Sequence, residues 1–191
     1  MTPPTAKAEQ KETYEPVSEK SRAAQAWDVY KCNWKEAVGV FISTAVQMSF
    51  FPGVMLSPDF QWGFISDYSW FVITLVTYAS LSDTLGRWLA GMADLVPKKH
   101  FLLSSVIRGV IFTVIYLLTF FDVSENFLGS TWFIMLGLLI FATTYGYWIT
   151  LGFKYGSDET TGDQGIAGTI VGFHMTFGIC FGSAIALGFL S

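Results

Sequence analysis

Asp83 and Arg87 stand four residues apart inside the apolar run Ser69–Ala93. On a helix that spacing puts a carboxylate and a guanidinium on one face, close enough to pair. Each intramembrane charge costs about 2.5 to 3.5 kcal/mol on insertion scales, so two of them in one span call for a partner and a purpose. Val76, Ser80, Asp83 and Arg87 follow i, i+4, i+7, i+11 spacing and form one stripe. A carboxylate accepts from hydroxyls and a guanidinium offers a fixed fork of donors, a combination that suits a ligand bearing vicinal hydroxyls and heteroatoms. The same pair can instead lock helices together, and the residues alone leave both readings open. Trp88, next to Arg87 and deeper than the other tryptophans, is a secondary candidate for lining a pathway.

The elements that must hold these residues are apolar and long. The chain is 52% hydrophobic and only 14% charged, which excludes an ordinary soluble domain and points to an integral membrane protein. A net charge of -4 with dispersed basic residues argues against a nucleic-acid surface. Residues 1–34 are polar, with acidic and basic side chains that cancel, and read as a largely disordered cytosolic tail or linker with short helix from Ser18 to Tyr30. No cleavable signal peptide is visible, so the first span is expected to act as its own insertion signal.

Residues 35–191 carry five apolar stretches near the roughly 20 residues that cross a bilayer. They are Ala37–Met55, Ser69–Ala93, Phe101–Phe121, Thr131–Phe153 and Ile166–Leu190. The last four are clear spans, and a kink is expected in the first at Phe51-Pro52-Gly53. The fold class is therefore an all-α bundle of five transmembrane helices in a lipid bilayer. Basic residues in the tail and at Lys98 and Lys99, and none in Leu56–Tyr68 or Asp122–Ser130, place the N-terminus in the cytosol and Ser191 outside or in a lumen. Trp34, Trp62, Trp70, Trp132 and Trp148 fall near span ends, as an interfacial belt would require.

Other polar groups have plainer explanations. Arg108 sits about two turns from the Lys98-Lys99 turn and is expected to snorkel to the cytosolic interface. Asp94 is then within reach of Lys98, Lys99 or Arg108. His174, amid glycines in the last span, is expected to pack by hydrogen bonding and is a secondary site candidate. Proton coupling would draw on Asp83 and His174, although a passive carrier needs neither to titrate. Gly168 with Gly172, and Gly178 with Gly182, have the small-residue spacing that allows close helix approach. The two cysteines, Cys32 and Cys180, have no metal-ligand neighbours and lie in unlike environments. No catalytic signature, phosphate loop, cofactor or metal motif is present in the sequence.

Asp83-Thr84-Leu85-Gly86-Arg87 resembles the D-x-x-G-R motif in the eighth helix of equilibrative nucleoside transporters. Phe51-Pro52 falls where that family has Phe-Pro in helix seven, and Pro97, Arg108, Gly146-Tyr147 and Ala167-Gly168 follow in family order. The likeness covers Lys35 to Ser191, matching helices seven to eleven of eleven and the C-terminal half of a major-facilitator-like transporter. It implies a facilitative carrier of nucleosides or nucleobases working by alternating access, with Asp83 and Arg87 at the central site and Ser80 one turn before. This chain departs from the family at Ser80 and Tyr145, where Asn is usual, and at Ile111-Phe112-Thr113, where Phe-x-Pro-Leu is usual. The resemblance further implies a complementary six-helix N-terminal bundle, or a second copy, to complete a carrier. The rival is a non-transporting structural or regulatory membrane protein in which Asp83 and Arg87 form a structural ion pair.

Overall fold

The computed structural model describes residues 22–52, 55, 64–121, 131–157 and 163–190. The tail before Arg22, Gly53, Trp62 and the Asp122–Ser130 connector lie outside the described residues. Every regular element among those described is helical: α1 (Arg22–Phe50), α2 (Tyr68–Met92), α3 (Phe101–Phe121), α4 (Thr131–Gly156) and α5 (Gln164–Leu190). A short 3-10 turn, Lys98–His100, leads into α3. Asp67 starts α2 by accepting from the Ser69 and Trp70 amides at 2.8 and 3.3 Å, and Asp163 caps α5 in the same way through Gly165 and Ile166.

α1 differs from the sequence expectation at both ends. It starts at Arg22, so the short helix expected over Ser18–Tyr30 is one with the first apolar run and continues through Trp34. Val29, Asn33 and Glu36 recur at i, i+4, i+7 and are buried, which gives this polar-looking stretch an inner face that composition does not reveal. At the other end the helix stops at Phe50 instead of kinking through to Met55. Phe51 donates its amide to Gln47 O at 2.8 Å, and Pro52 follows across a cis peptide bond with no amide to continue the ladder.

α1 is central and packs on α5, α3 and α4, while α4 carries α2 on its other side. Small residues permit these contacts. Cβ atoms at Gly178 and Gly182 would run into the α1 carbonyls of Phe41 and Ala45, so this pair is a close crossing. Gly168 and Gly172, with the same spacing, are not: Gly172 faces open space. Phe101 is fully buried in the gap left by Gly39 of α1 and Gly152 of α4. A second core of Phe71, Leu75, Leu138 and Phe141 joins α2 to α4.

Among the described residues three stretches are long and apolar enough to cross a membrane: Lys98–Thr119, Thr131–Gly156 and Gln164–Gly188. α3 turns Leu103, Ile107, Val110, Val114 and Leu118 outward along one stripe, an apolar exterior suited to lipid. Five helices occupy the five expected stretches, and α1 and α2 fall short of that apolarity. In α2 the cause is Asp83, Arg87 and the hydroxyls of Ser80, Ser82 and Thr84; in α1 it is the charge up to Glu36 and the polar Gln47.

Three polar expectations are corrected. Arg108 does not snorkel: it is 4% exposed and donates from Nε to Thr144 Oγ1 and from Nη2 to Phe141 O, both at 2.9 Å. Its guanidinium lies over the Phe112 ring of its own helix and the Phe141 ring of α4, so acceptors and π faces are closer than the interface. Asp94 pairs with neither Lys98, Lys99 nor Arg108 but accepts from Lys154 Nζ at 2.7 and 2.8 Å. Lys154 belongs to the last turn of α4, not to a connector. Trp148 is half-buried and donates to Ser104 Oγ at 3.2 Å, whereas Trp34, Trp70 and Trp132 are exposed. The variant Arg108→Lys distinguishes burial from snorkelling. It is expected to destabilise the purified protein in detergent by about 1 to 3 kcal/mol, because an ammonium lacks the fork that spans Thr144 and Phe141; a snorkelling arginine would tolerate the exchange, with an unchanged thermal midpoint.

Candidate substrate site

α2 presents two stripes. Phe71, Leu75, Ala79, Ser82, Gly86 and Ala90 are buried and face α4. Beside them run Val76, Ser80, Asp83 and Arg87, at the edge of the contact. The sequence order thus makes one flank of the helix anchored and the next one polar and open.

The anchoring is glycine on glycine. A Cβ at Gly86 would overlap the Thr143 carbonyl, and one at Gly146 would overlap the Asp83 carbonyl, so the two backbones touch at this level. Tyr147 then ties down the end of α2: its hydroxyl donates to Ala93 O at 3.0 Å and accepts from the Leu95 amide at 2.6 Å. Gly146 lies inside the membrane-length helix Thr131–Gly156, which puts Asp83 opposite its interior and not at its end.

Arg87 Nε donates to Asp83 Oδ2 at 3.0 Å. The Asp83 side chain is 25% exposed and that of Arg87 45%. Asp83 Oδ1 is turned inward against Gly146 and has no hydrogen-bond partner among the described residues. The pair is therefore a single bond from the side of the guanidinium, through Nε. Both terminal Nη groups of Arg87, four N–H donors in all, take no acceptor among the described residues and lie on the open flank.

The remaining candidates separate from this centre. Ser80 is exposed on the same stripe, but its hydroxyl donates to Val76 O at 2.8 Å and not to the pair. Trp88 is 61% exposed and, one residue beyond Arg87, sits about 100° further round the helix, off the stripe. His174 belongs to another cluster: its ring stacks on Tyr30 of α1 at 5.7 Å and Nδ1 lies 2.9 Å from Ile170 O of its own helix. Tyr145, at the position where the resembled family has Asn, is buried within electrostatic reach of Asp83, Arg87 and Arg108. Thr143, half-buried, carries a buried hydroxyl with no hydrogen-bond partner among the described residues on the same turn of α4. Sequence spacing could not single out Thr143, since nothing but the glycine contact brings it to α2.

The glycine contact is open to a direct comparison. Gly146→Ala should cost about 1 to 3 kcal/mol by forcing α2 off α4, whereas Gly137→Ala, whose Cβ meets nothing within 4 Å, should be neutral or gain up to about 1 kcal/mol of helix propensity. Equal thermal midpoints for the two variants would contradict the crossing.

No curated protein and no solved structure matches the chain. A family model described as nucleoside transporter matches residues 4–190, almost the entire length, and that family is one of transporters rather than enzymes. With its apolar helices and its Asp-x-x-Gly-Arg turn held open beside α4, the chain belongs to the equilibrative nucleoside transporter family.

Proposed function

We propose that this chain is one bundle of a facilitative nucleoside or nucleobase carrier that works by alternating access, with Arg87 and Asp83 gripping the solute. The observation that carries this reading is the open guanidinium: Asp83 holds Arg87 through Nε alone and leaves its terminal donors on the open flank of α2. Those donors suit ribose oxygens or base heteroatoms, and the second lone pair of Oδ2 suits a ribose hydroxyl. Ser80, one turn earlier, extends the polar stripe. Trp88 and His174 are secondary to it.

Energetics support a wet or covered flank. Each charge facing lipid costs about 2.5 to 3.5 kcal/mol, and the single Nε contact would leave the terminal guanidinium N–H groups without acceptors there. The flank is therefore best matched to water or to another polar surface. In this proposal all five helices cross the membrane, and the flank faces a complementary N-terminal six-helix bundle or a second copy, with the solute between them. The segment before α1 lies in the cytosol and the end of α5 outside or in a lumen.

In an assembly that transports, Asp83→Ala and Arg87→Ala are each expected to lower uridine or adenosine uptake about 10- to 100-fold, the weight of a charge-assisted hydrogen bond. The doubly apolar variant Asp83→Leu/Arg87→Leu should fold normally and stay inactive. If it restores uptake lost in the single variants, the pair is a structural clamp and the site assignment is wrong.

A further inference from the structure

We propose that Asn33 and Glu36 form a buried site for a monovalent metal cation where α1 meets the C-terminal end of α4 and the first turns of α5. Nothing in this site overlaps the Asp83–Arg87 flank. Asn33 and Glu36 are three residues apart and share one face of α1, with exposures of 0% and 4%. Both lie against the last residue of α4. Asn33 Nδ2 donates to Gly156 O at 2.8 Å, and a Cβ at Gly156 would sit 3.9 Å from Glu36 Cβ and 2.6 Å from Val171 Cγ2 of α5.

That hydrogen bond fixes which end of the Asn33 carboxamide is the donor, and so leaves Oδ1 as an acceptor with nothing to accept. Asn33 Oδ1 and Glu36 Oε2 are both buried and without a hydrogen-bond partner among the described residues. They stand at a helix C-terminus, where unpaired carbonyls concentrate partial negative charge. A carboxylate oxygen and a carboxamide oxygen thus lie unpartnered on one buried face of α1 beside a negative helix end, an arrangement that is costly without a positive charge.

The neighbouring basic side chains are engaged elsewhere. Lys154, two residues before Gly156, binds Asp94. Lys31 pairs with Asp28 and lies over Trp27, and Lys35 lies over Trp34, on the exposed side of α1. Three features select the ion. The donors are hard oxygens, which favour alkali or alkaline-earth ions over softer metals. One carboxylate balances one positive charge, so a divalent ion would leave net charge in a buried site. No cluster of three or more His, Cys, Asp or Glu side chains forms among the described residues. Na+ or K+ therefore fits, coordinated by Glu36 Oε2 and Asn33 Oδ1 and tying α1 to the α4–α5 corner.

The test is thermal unfolding of the purified full chain in detergent, in NaCl, KCl or N-methyl-D-glucamine chloride at one ionic strength and at several pH values. The wild type should unfold about 3 to 6 °C higher in saturating Na+ or K+ than in the organic cation. Glu36→Gln, which removes the buried anion and keeps its shape, should lose that response and match or exceed the wild type in the organic cation. Asn33→Leu should raise the half-saturating cation concentration at least about tenfold, and it decides the matter if Glu36→Gln does not fold. The proposal is overturned by an unchanged response in Glu36→Gln, by no cation response at all, or by a midpoint that follows pH alone, which would assign the place to a proton.

Discussion

A carboxylate and a guanidinium one turn apart on α2 stay half open because the helix that carries them is pinned along its adjacent flank. At Gly86 and Gly146 the α2 and α4 backbones touch, and no side chain can intervene. The contact turns one row of α2 side chains into core and leaves the next row, from Val76 to Arg87, at the margin. Were either glycine larger, α2 would rotate or retreat, and the ion pair would change its exposure with it. The charge pair, the glycine of the Asp-x-x-Gly-Arg turn and Gly146 of α4 are thus one device: the small residues set the depth and direction of the polar ones.

The same logic organises the rest of the bundle. α1 is gripped by α5 through Gly178 and Gly182, and by α3 and α4 through the Phe101 ring seated between Gly39 and Gly152. Packing in lipid gains little from the hydrophobic effect, so close backbone approach and satisfied polar groups have to hold helices together. Arg108 is the clearest polar case, a buried cation held by a carbonyl, a hydroxyl and two aromatic faces without a carboxylate. It binds α3 to α4 through Thr144 and the carbonyl of Phe141, a residue of the core that α4 shares with α2.

Much of this was legible in the sequence. Helix class, the positions of α2 to α5 and the shared face of Asp83 and Arg87 follow from periodicity, and membership of the nucleoside transporter family follows from the motif that periodicity picks out. What escaped was whatever depends on a partner far along the chain. Arg108 was placed by its distance from the interface, but its neighbours are Phe141 and Thr144; Asp94 was matched to nearby lysines, but its partner is sixty residues on. Gly168 and Gly178 open identical patterns and only the second meets a helix. Asn33 and Glu36 were lost in a charge-balanced stretch, because composition does not say which side of a helix will be covered.

The account turns on whether the flank of α2 that carries Asp83 and Arg87 looks onto a passage used by solute. The most direct measurement is thiol labelling of Ser80→Cys in an assembly that transports uridine, with Cys32 and Cys180 replaced by serine. A hydrophilic, membrane-impermeant reagent should modify the new cysteine, and saturating uridine should slow that modification. A cysteine that resists the reagent, or that reacts at one rate with and without uridine while transport persists, would contradict the account.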